Sequence, residues 1–125
     1  MKILHTVEFY NPSVGGAQEV VKQVSEQLVK RGHHVTVATT KLAERTTCAI
    51  NGVHIEEFEI AGNAVRGFHG NVQSYQELLL NSDFDVMMNY AAQQWATDLV
   101  FPLLDRLRYR KVLGGLIRDY YRDAA

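Results

Sequence analysis

The fold is decided by residues 3–39. Ile3-Leu4-His5-Thr6-Val7 is an apolar run that reads as a strand, and it enters the loop Glu8-Phe9-Tyr10-Asn11-Pro12-Ser13-Val14-Gly15-Gly16. A helix is expected from about Ala17 to Arg31, and Val35-Thr36-Val37-Ala38-Thr39 reads as a second strand. Ala17, Val20, Val21, Val24 and Leu28 recur at helical spacing and define the helix's expected apolar face. Lys30 and Arg31 suit the negative end of its dipole, and Gly32 is a natural stop. Strand, glycine loop, helix and strand make a βαβ unit, whose crossover is right-handed in nearly all folds. The paired glycines fall where the first strand hands over to the first helix, which is the ligand-facing rim of an open α/β sheet.

Working outward, the polar stretch from Lys41 to Thr47 separates the second strand from Cys48-Ala49-Ile50. Asn51-Gly52 is a strong turn signal, and Val53 to Ile60 reads as a further strand. Residues 61–70 hold three glycines and are expected to form a loop. Val72 to Leu80 reads as a helix and Val86-Met87-Met88-Asn89 as a short buried strand. A helix is expected over Gln94 to Leu107, with Pro102 kinking or breaking it. Val112-Leu113-Gly114-Gly115 reads as a fifth strand, followed by a polar, basic tail. The alternation predicts an α/β fold: a three-layer domain with about five mostly parallel strands in order 3-2-1-4-5.

The chain's 125 residues correspond to one domain, and a hydrophobic fraction of 46% with 22% charged residues is that of an ordinary globular protein. A net charge of -1 gives no reason to expect a nucleic-acid partner. The single cysteine, Cys48, excludes an internal disulfide and is expected to be buried rather than nucleophilic. With no apolar signal core and no run long enough to span a bilayer, the expected location is cytoplasmic. The basic cluster Arg106, Arg108, Arg110 and Lys111 permits peripheral contact with an anionic membrane or substrate, although a charged surface turn is the simpler reading.

Several chemistries are excluded by spacing. A dinucleotide fold wants G-x-G-x-x-G and an acidic residue ending the second strand, whereas here the glycines are adjacent and the strand ends Thr39-Thr40-Lys41. A Walker A loop wants Gly-Lys-Ser/Thr, and Gly16-Ala17-Gln18 does not supply it. The five histidines lack metal-ligand spacing, so no metal is expected. What remains at Gly15 and Gly16 is a backbone that a ligand can approach closely, with helix N-terminal N–H groups that favour an anion. The alternative is that the pair only allows a sharp entry into the helix. His69, in the glycine-rich segment, is placed to reach a cleft; His5 reads as a core or rim residue. Glu56, Glu57 and Glu59 read as a solvated strand face, and Trp95, Leu99, Leu103 and Leu107 as a core stripe.

Two ordered stretches, Tyr10-Asn11-Pro12-Ser13-Val14-Gly15-Gly16 and Leu28-Val29-Lys30-Arg31-Gly32-His33-His34-Val35-Thr36-Val37, resemble the N-terminal domain of GT-B fold glycosyltransferases of the retaining family-four group. Phe84-Asp85-Val86 resembles that group's fourth strand. The resemblance implies one Rossmann-like half of a GT-B fold, the acceptor-side domain of an enzyme that uses a nucleotide sugar and no other cofactor. It places Gly15 and Gly16 by the donor diphosphate, and Asn89 and Tyr90 where the family often carries histidines after its fourth strand. Its implied partners are the nucleotide sugar, a sugar or lipid-linked acceptor, and a C-terminal domain that supplies the catalytic glutamate pair. On this reading the chain is one N-terminal domain truncated at its C-terminal end, and alone it is expected not to transfer sugar. A reading from another class also stands: a non-catalytic flavodoxin-like or Rossmann-like module that binds a small anion or a protein.

Overall fold

The computed structural model describes residues 1–107 and, as backbone, 110–113. The described elements are β1 (Lys2–Thr6), α1 (Gly16–Lys30), β2 (His34–Thr40), β3 (Ala49–Ile50), β4 (Val53–Phe58), β5 (Ile60–Asn63), β6 (Gly67–Gly70), α2 (Val72–Asn81), β7 (Val86–Asn89), α3 (Trp95–Asp98), a 3-10 helix (Phe101–Arg106) and β8 (Arg110–Leu113). The main sheet has six strands in the order β3-β4-β2-β1-β7-β8. Every neighbouring pair is parallel except β3–β4. The five parallel strands therefore run 3-2-1-4-5 as expected, with β3 added as an antiparallel edge. Gly114 and Gly115 of the expected fifth strand, Arg108 of the basic cluster and the tail lie outside the described residues. No described helix is long and apolar enough to cross a membrane.

The strands alternate between two cores because successive side chains point to opposite faces. Ile3, Val7, Val35, Val37, Val53 and Ile55 pack with Tyr10 and with Val21, Leu28 and Val29 of α1 on one face. Leu4, Ala38, Phe58 and Met87 pack with Tyr75 and Leu79 of α2 and with Trp95, Leu99, Leu103 and Leu107 on the other. Phe58, Tyr75 and Trp95 meet edge to face, with ring centroids 4.9–6.1 Å apart. The Trp95 indole N–H donates to Thr40 Oγ1 at 3.0 Å, and the Tyr75 hydroxyl donates to the Ala96 carbonyl at 2.5 Å. The aromatic cluster thus braces the C-terminal edge of the sheet from below.

Four expectations need correction. Residues 60–70 are an antiparallel hairpin, β5 against β6, not a loop. Its glycines permit close strand approach: a Cβ at Gly62 would strike the Gly67 carbonyl, and one at Gly70 the Glu59 carbonyl. The expected helix over Gln94 to Leu107 is broken after Asp98, and Pro102 sits in the first turn of the separate 3-10 helix. The stripe Trp95, Leu99, Leu103 and Leu107 is nevertheless buried throughout. Cys48 is exposed, because it precedes the two-residue edge strand β3. Finally, α1 is rotated from its expected face: Val21 and Ser25 are buried, whereas Ala17 and Val20 are exposed. The reason is His5, which is buried on β1 and bonds Ser25 Oγ through Nδ1 at 2.8 Å. A buried imidazole requires a polar partner, and the helix turns a serine inward to provide it.

Burial pushes the His5 imidazole down from 6.5 to about 4. Between those values the unfolded chain binds more protons than the folded one. The stabilisation is therefore complete above about pH 6.5 and is lost as pH falls toward about 4. The gap corresponds to roughly 3 kcal/mol. His5→Gln removes the titration, so urea midpoints measured at about pH 7 and about pH 4.5 should converge in the variant relative to the native chain. An undiminished pH dependence in His5→Gln would contradict the assignment.

Candidate functional site

The strand order reverses direction at β1. The connection through α1 leads to β2 on one side, and β7 lies on the other. In such sheets a crevice opens at this switch point, beyond the C-terminal ends of the strands. Here its two walls are the loop after β1, Val7 to Gly15, and the segment after β7, Tyr90 to Gln94. Two hydrogen bonds join them: Tyr90 N–H to the Thr6 carbonyl at 3.0 Å, and Glu8 N–H to Gln94 Oε1 at 3.1 Å.

The first wall is shaped by one side chain. Arg45 is buried and donates from Nε to the Asn11 carbonyl at 3.0 Å and from Nη2 to the Tyr10 carbonyl at 3.2 Å. Its Nη1 donates to the Thr40 carbonyl at 3.1 Å and to Glu57 Oε2 at 2.6 Å. Glu57 Oε2 also accepts the Leu42 N–H at 3.1 Å. The Tyr10 ring is buried in the α1-side core, and its carbonyl additionally receives Ser13 N–H and Oγ–H. Burial, reinforced by the Glu26 charge, pushes the Tyr10 hydroxyl up to about 12. Sequence reasoning missed this arrangement: Arg45 lay within a stretch read only as polar, and Glu57 was assigned to a solvated face.

Gly15 is the N-cap of α1 in an extended conformation, and no side chain caps this helix end. The Gln18 side chain instead folds back beside Gly15, in the space a Cβ there would need, and its Nε2 reaches Ser13 Oγ at 3.4 Å. Gly16 is exposed in the first helical position, and an added Cβ would meet no atom within 4 Å. Neither glycine is required for backbone strain. The first turn presents backbone N–H groups at the positive end of a 15-residue helix, a setting suited to an anion.

The second wall begins with Asn89, which is buried and accepts from Thr6 Oγ1 at 2.5 Å through Oδ1, leaving Nδ2 without a protein partner. Tyr90 is half-buried on the α1 side, its ring edge-on to His5 with centroids 5.2 Å apart. Its hydroxyl reaches Met88 Sδ at 3.9 Å, and burial pushes it up to about 12. Ala91 and Gln93 have φ of 67° and 61°, a left-handed conformation that non-glycine residues adopt at a cost. Thr97 holds that backbone by donating to the Ala91 carbonyl at 2.5 Å, and Asp98 accepts the Gln93 N–H at 3.2 Å. Glu8, in the first wall, has its carboxyl pKa raised by partial burial.

The structure therefore brings Gly15 and Gly16 to one wall of the switch point and Asn89 and Tyr90 to the other. His69 does not join them. It is exposed on β6 and lines a separate groove of about 540 Å³ with Lys41, Glu59, Ile60, Ala61 and Gly70, also at the C-terminal edge. A cavity of about 480 Å³ at the opposite edge is lined in part by His33, His34 and His54. Among the described residues no three His, Cys, Asp or Glu side chains gather into a metal-binding group. Glu56 pairs with His54 at 3.0 Å and Glu59 with Lys41 at 3.1 Å, so each of the three glutamates read as a solvated face has a charged or titratable partner. No protein-family model and no curated protein matches the chain.

Arg45→Met keeps the apolar stem but takes the guanidinium donors away from the Asn11, Tyr10 and Thr40 carbonyls and from Glu57, of which Tyr10 keeps its Ser13 donors and Glu57 the Leu42 N–H. The substitution should cost about 2 kcal/mol in denaturant unfolding, the order expected for hydrogen bonds to a charged group, because the carboxylate left behind stays 27% exposed. It should also speed hydrogen exchange through residues 10–15. A loss under about 1 kcal/mol, the net worth of a single ordinary hydrogen bond, would show that the loop is held by other means.

Proposed function

We propose that this chain is the Rossmann-like, acceptor-side half of a GT-B glycosyltransferase that uses a nucleotide sugar. The observation that carries the reading is the uncapped N-terminus of α1, presented at the switch point by a loop with the family-like aromatic-x-Pro-x-x-Gly-Gly pattern. The strand order 3-2-1-4-5 and the helices on both faces are compatible with that half-fold. In this reading the partner domain binds most of the donor nucleotide. The Gly16 and Ala17 amides face the departing diphosphate and stabilise the charge that develops on it, which is the main chemical task of such a transfer. The proposed acceptor is a sugar or a lipid-linked sugar. With only one wall of the interdomain cleft, the isolated chain lacks the orientation that makes the transfer fast.

The open space around Gly16 makes the test clean. Gly16→Ala places a methyl group where the donor diphosphate would approach, while the helical backbone accepts alanine readily. Fold stability should stay level or rise by roughly 0.4–1 kcal/mol. In the two-domain enzyme that carries this domain, kcat/KM for the nucleotide sugar should fall about tenfold or more, a loss of at least about 1.4 kcal/mol in transition-state stabilisation. Wild-type turnover in a folded Gly16→Ala enzyme would reduce the glycine pair to a turn into α1. A native polypeptide without any nucleotide-sugar turnover would favour the anion- or protein-binding module.

A further inference from the structure

We propose that residues 116–125 dock as an amphipathic helix in the channel between α1 and β7, covering apolar surface that the described elements leave open. One flank of α1 is already committed. Glu26 Oε2 accepts from Asn51 Nδ2 at 3.0 Å, and Val29 fills the space that a Cβ at Gly52 would need, so this flank turns toward the β3–β4 turn. Ala17, Val20 and Val24 lie at helical spacing on the opposite flank and turn toward β1 and β7. Val20 is 54% exposed, Ala17 is exposed and Val24 is half-buried. β7 presents a matching surface. Met87 is buried in the α2-side core, so its neighbours Val86 and Met88 belong to the α1 face, where Tyr90 lies beside His5. Val86 and Met88 are only half-buried, and among the described residues neither they nor Val24 pack into either core.

Geometry and sequence together identify the occupant. Helices side by side on a sheet lie about 10 Å apart, which is about two strand spacings. α1 packs over β4, β2 and β1, so the next helix position on this face falls over β7 and its edge neighbour β8. The other face of β1 and β7 is covered by Trp95, Leu99 and Leu103. Beyond β8, Leu116, Ile117, Tyr120, Tyr121, Ala124 and Ala125 recur at helical spacing and form one apolar stripe. Arg118, Asp119, Arg122 and Asp123 fall on the opposite side, so this segment of the tail is charge-balanced and amphipathic rather than basic. Ten helical residues span about 15 Å, close to the roughly 13 Å of the four-residue β7. Gly114 and Gly115 give the chain the freedom to reverse before the stripe begins. A helix seated there buries Val20 and covers the Tyr90 ring. It therefore backs the second wall of the switch-point crevice, whether or not the chain is half of a transferase.

The test is a nuclear Overhauser measurement on the full 125-residue chain labelled with 13C and 15N. Ile117 and the Tyr120 and Tyr121 rings should show contacts to the methyl groups of Val20, Val24 and Met88, and residues 116–125 should carry helical Cα shifts. Absence of those contacts, or contacts to the α2-side core instead, overturns the proposal. A mixture of labelled and unlabelled chain identifies the other occupant: contacts that appear only between molecules assign the channel to a second copy and overturn it equally. Ile117→Asp puts a charge on the docking stripe. It should speed amide exchange over residues 86–90 about fivefold or more and leave residues 35–39 unchanged, because only the first strand loses its cover. Unchanged exchange over residues 86–90 counts against the docking, and if the variant does not fold, the contacts in the native chain decide alone.

Discussion

One buried guanidinium organises the functional edge of this domain. Arg45 joins the Tyr10 and Asn11 carbonyls of the first loop to the Thr40 carbonyl at the end of β2 and to Glu57 of β4. A planar, permanently charged group with five donors suits this task, and lysine could not reproduce the fork. A buried arginine is costly unless paired and hydrogen-bonded, and Glu57 together with three carbonyls takes four of its five N–H donors. The consequence is positional. The loop is held at its middle by Arg45 and anchored by the Tyr10 ring in the α1-side core. Its end must then deliver Gly15 to the start of α1 in a defined place.

The same economy of polar contacts appears along the rest of the rim. Thr39 and Thr40 both bond the Glu8 carbonyl, Thr40 receives the Trp95 indole, and Gln94 takes the Glu8 N–H. The loops after β1, β2 and β7 are thereby mutually fastened, with the aromatic cluster beneath them. Two residues with left-handed backbone, Ala91 and Gln93, sit in this fastened edge, held by Thr97 and Asp98. Strain of this kind persists where surrounding contacts over-determine it, and such places are commonly functional.

The order of strands was legible because it depends on periodicity and on the placement of turns. Val35 to Thr39 form a short apolar run, Asn51-Gly52 forms the positive-φ turn that the dipeptide announces, and Gly32 ends α1 with φ of 91°. What escaped notice depends on partners distant in the chain. Glycines at 62, 67 and 70 mark a hairpin as readily as a loop, and only the close approach of Gly62 to the Gly67 carbonyl distinguishes them. The inward turn of Ser25 follows from His5, twenty residues earlier. Arg45 and Glu57 are separated by eleven intervening positions and by an edge strand, so neither marks the other in sequence. The candidate site divides the same way. Gly15 and Gly16 stand out from their place after the first strand, whereas Asn89 and Tyr90 are named only through the family resemblance. His69 is also expected to reach a cleft, but the hairpin places it on a separate groove with Lys41 and Glu59.

The central claim is that the uncapped start of α1, held in place through Arg45, receives a diphosphate. The most direct measurement is an amide titration of the 15N-labelled chain with inorganic pyrophosphate at low ionic strength, where charge-based binding is least screened. The account predicts saturable shifts, with affinity in the millimolar range, confined to the amides of Gly15, Gly16, Ala17 and Gln18 and their immediate neighbours. Silence at those four amides, or stronger shifts at the histidine-lined cavity on the opposite edge of the sheet, would contradict it.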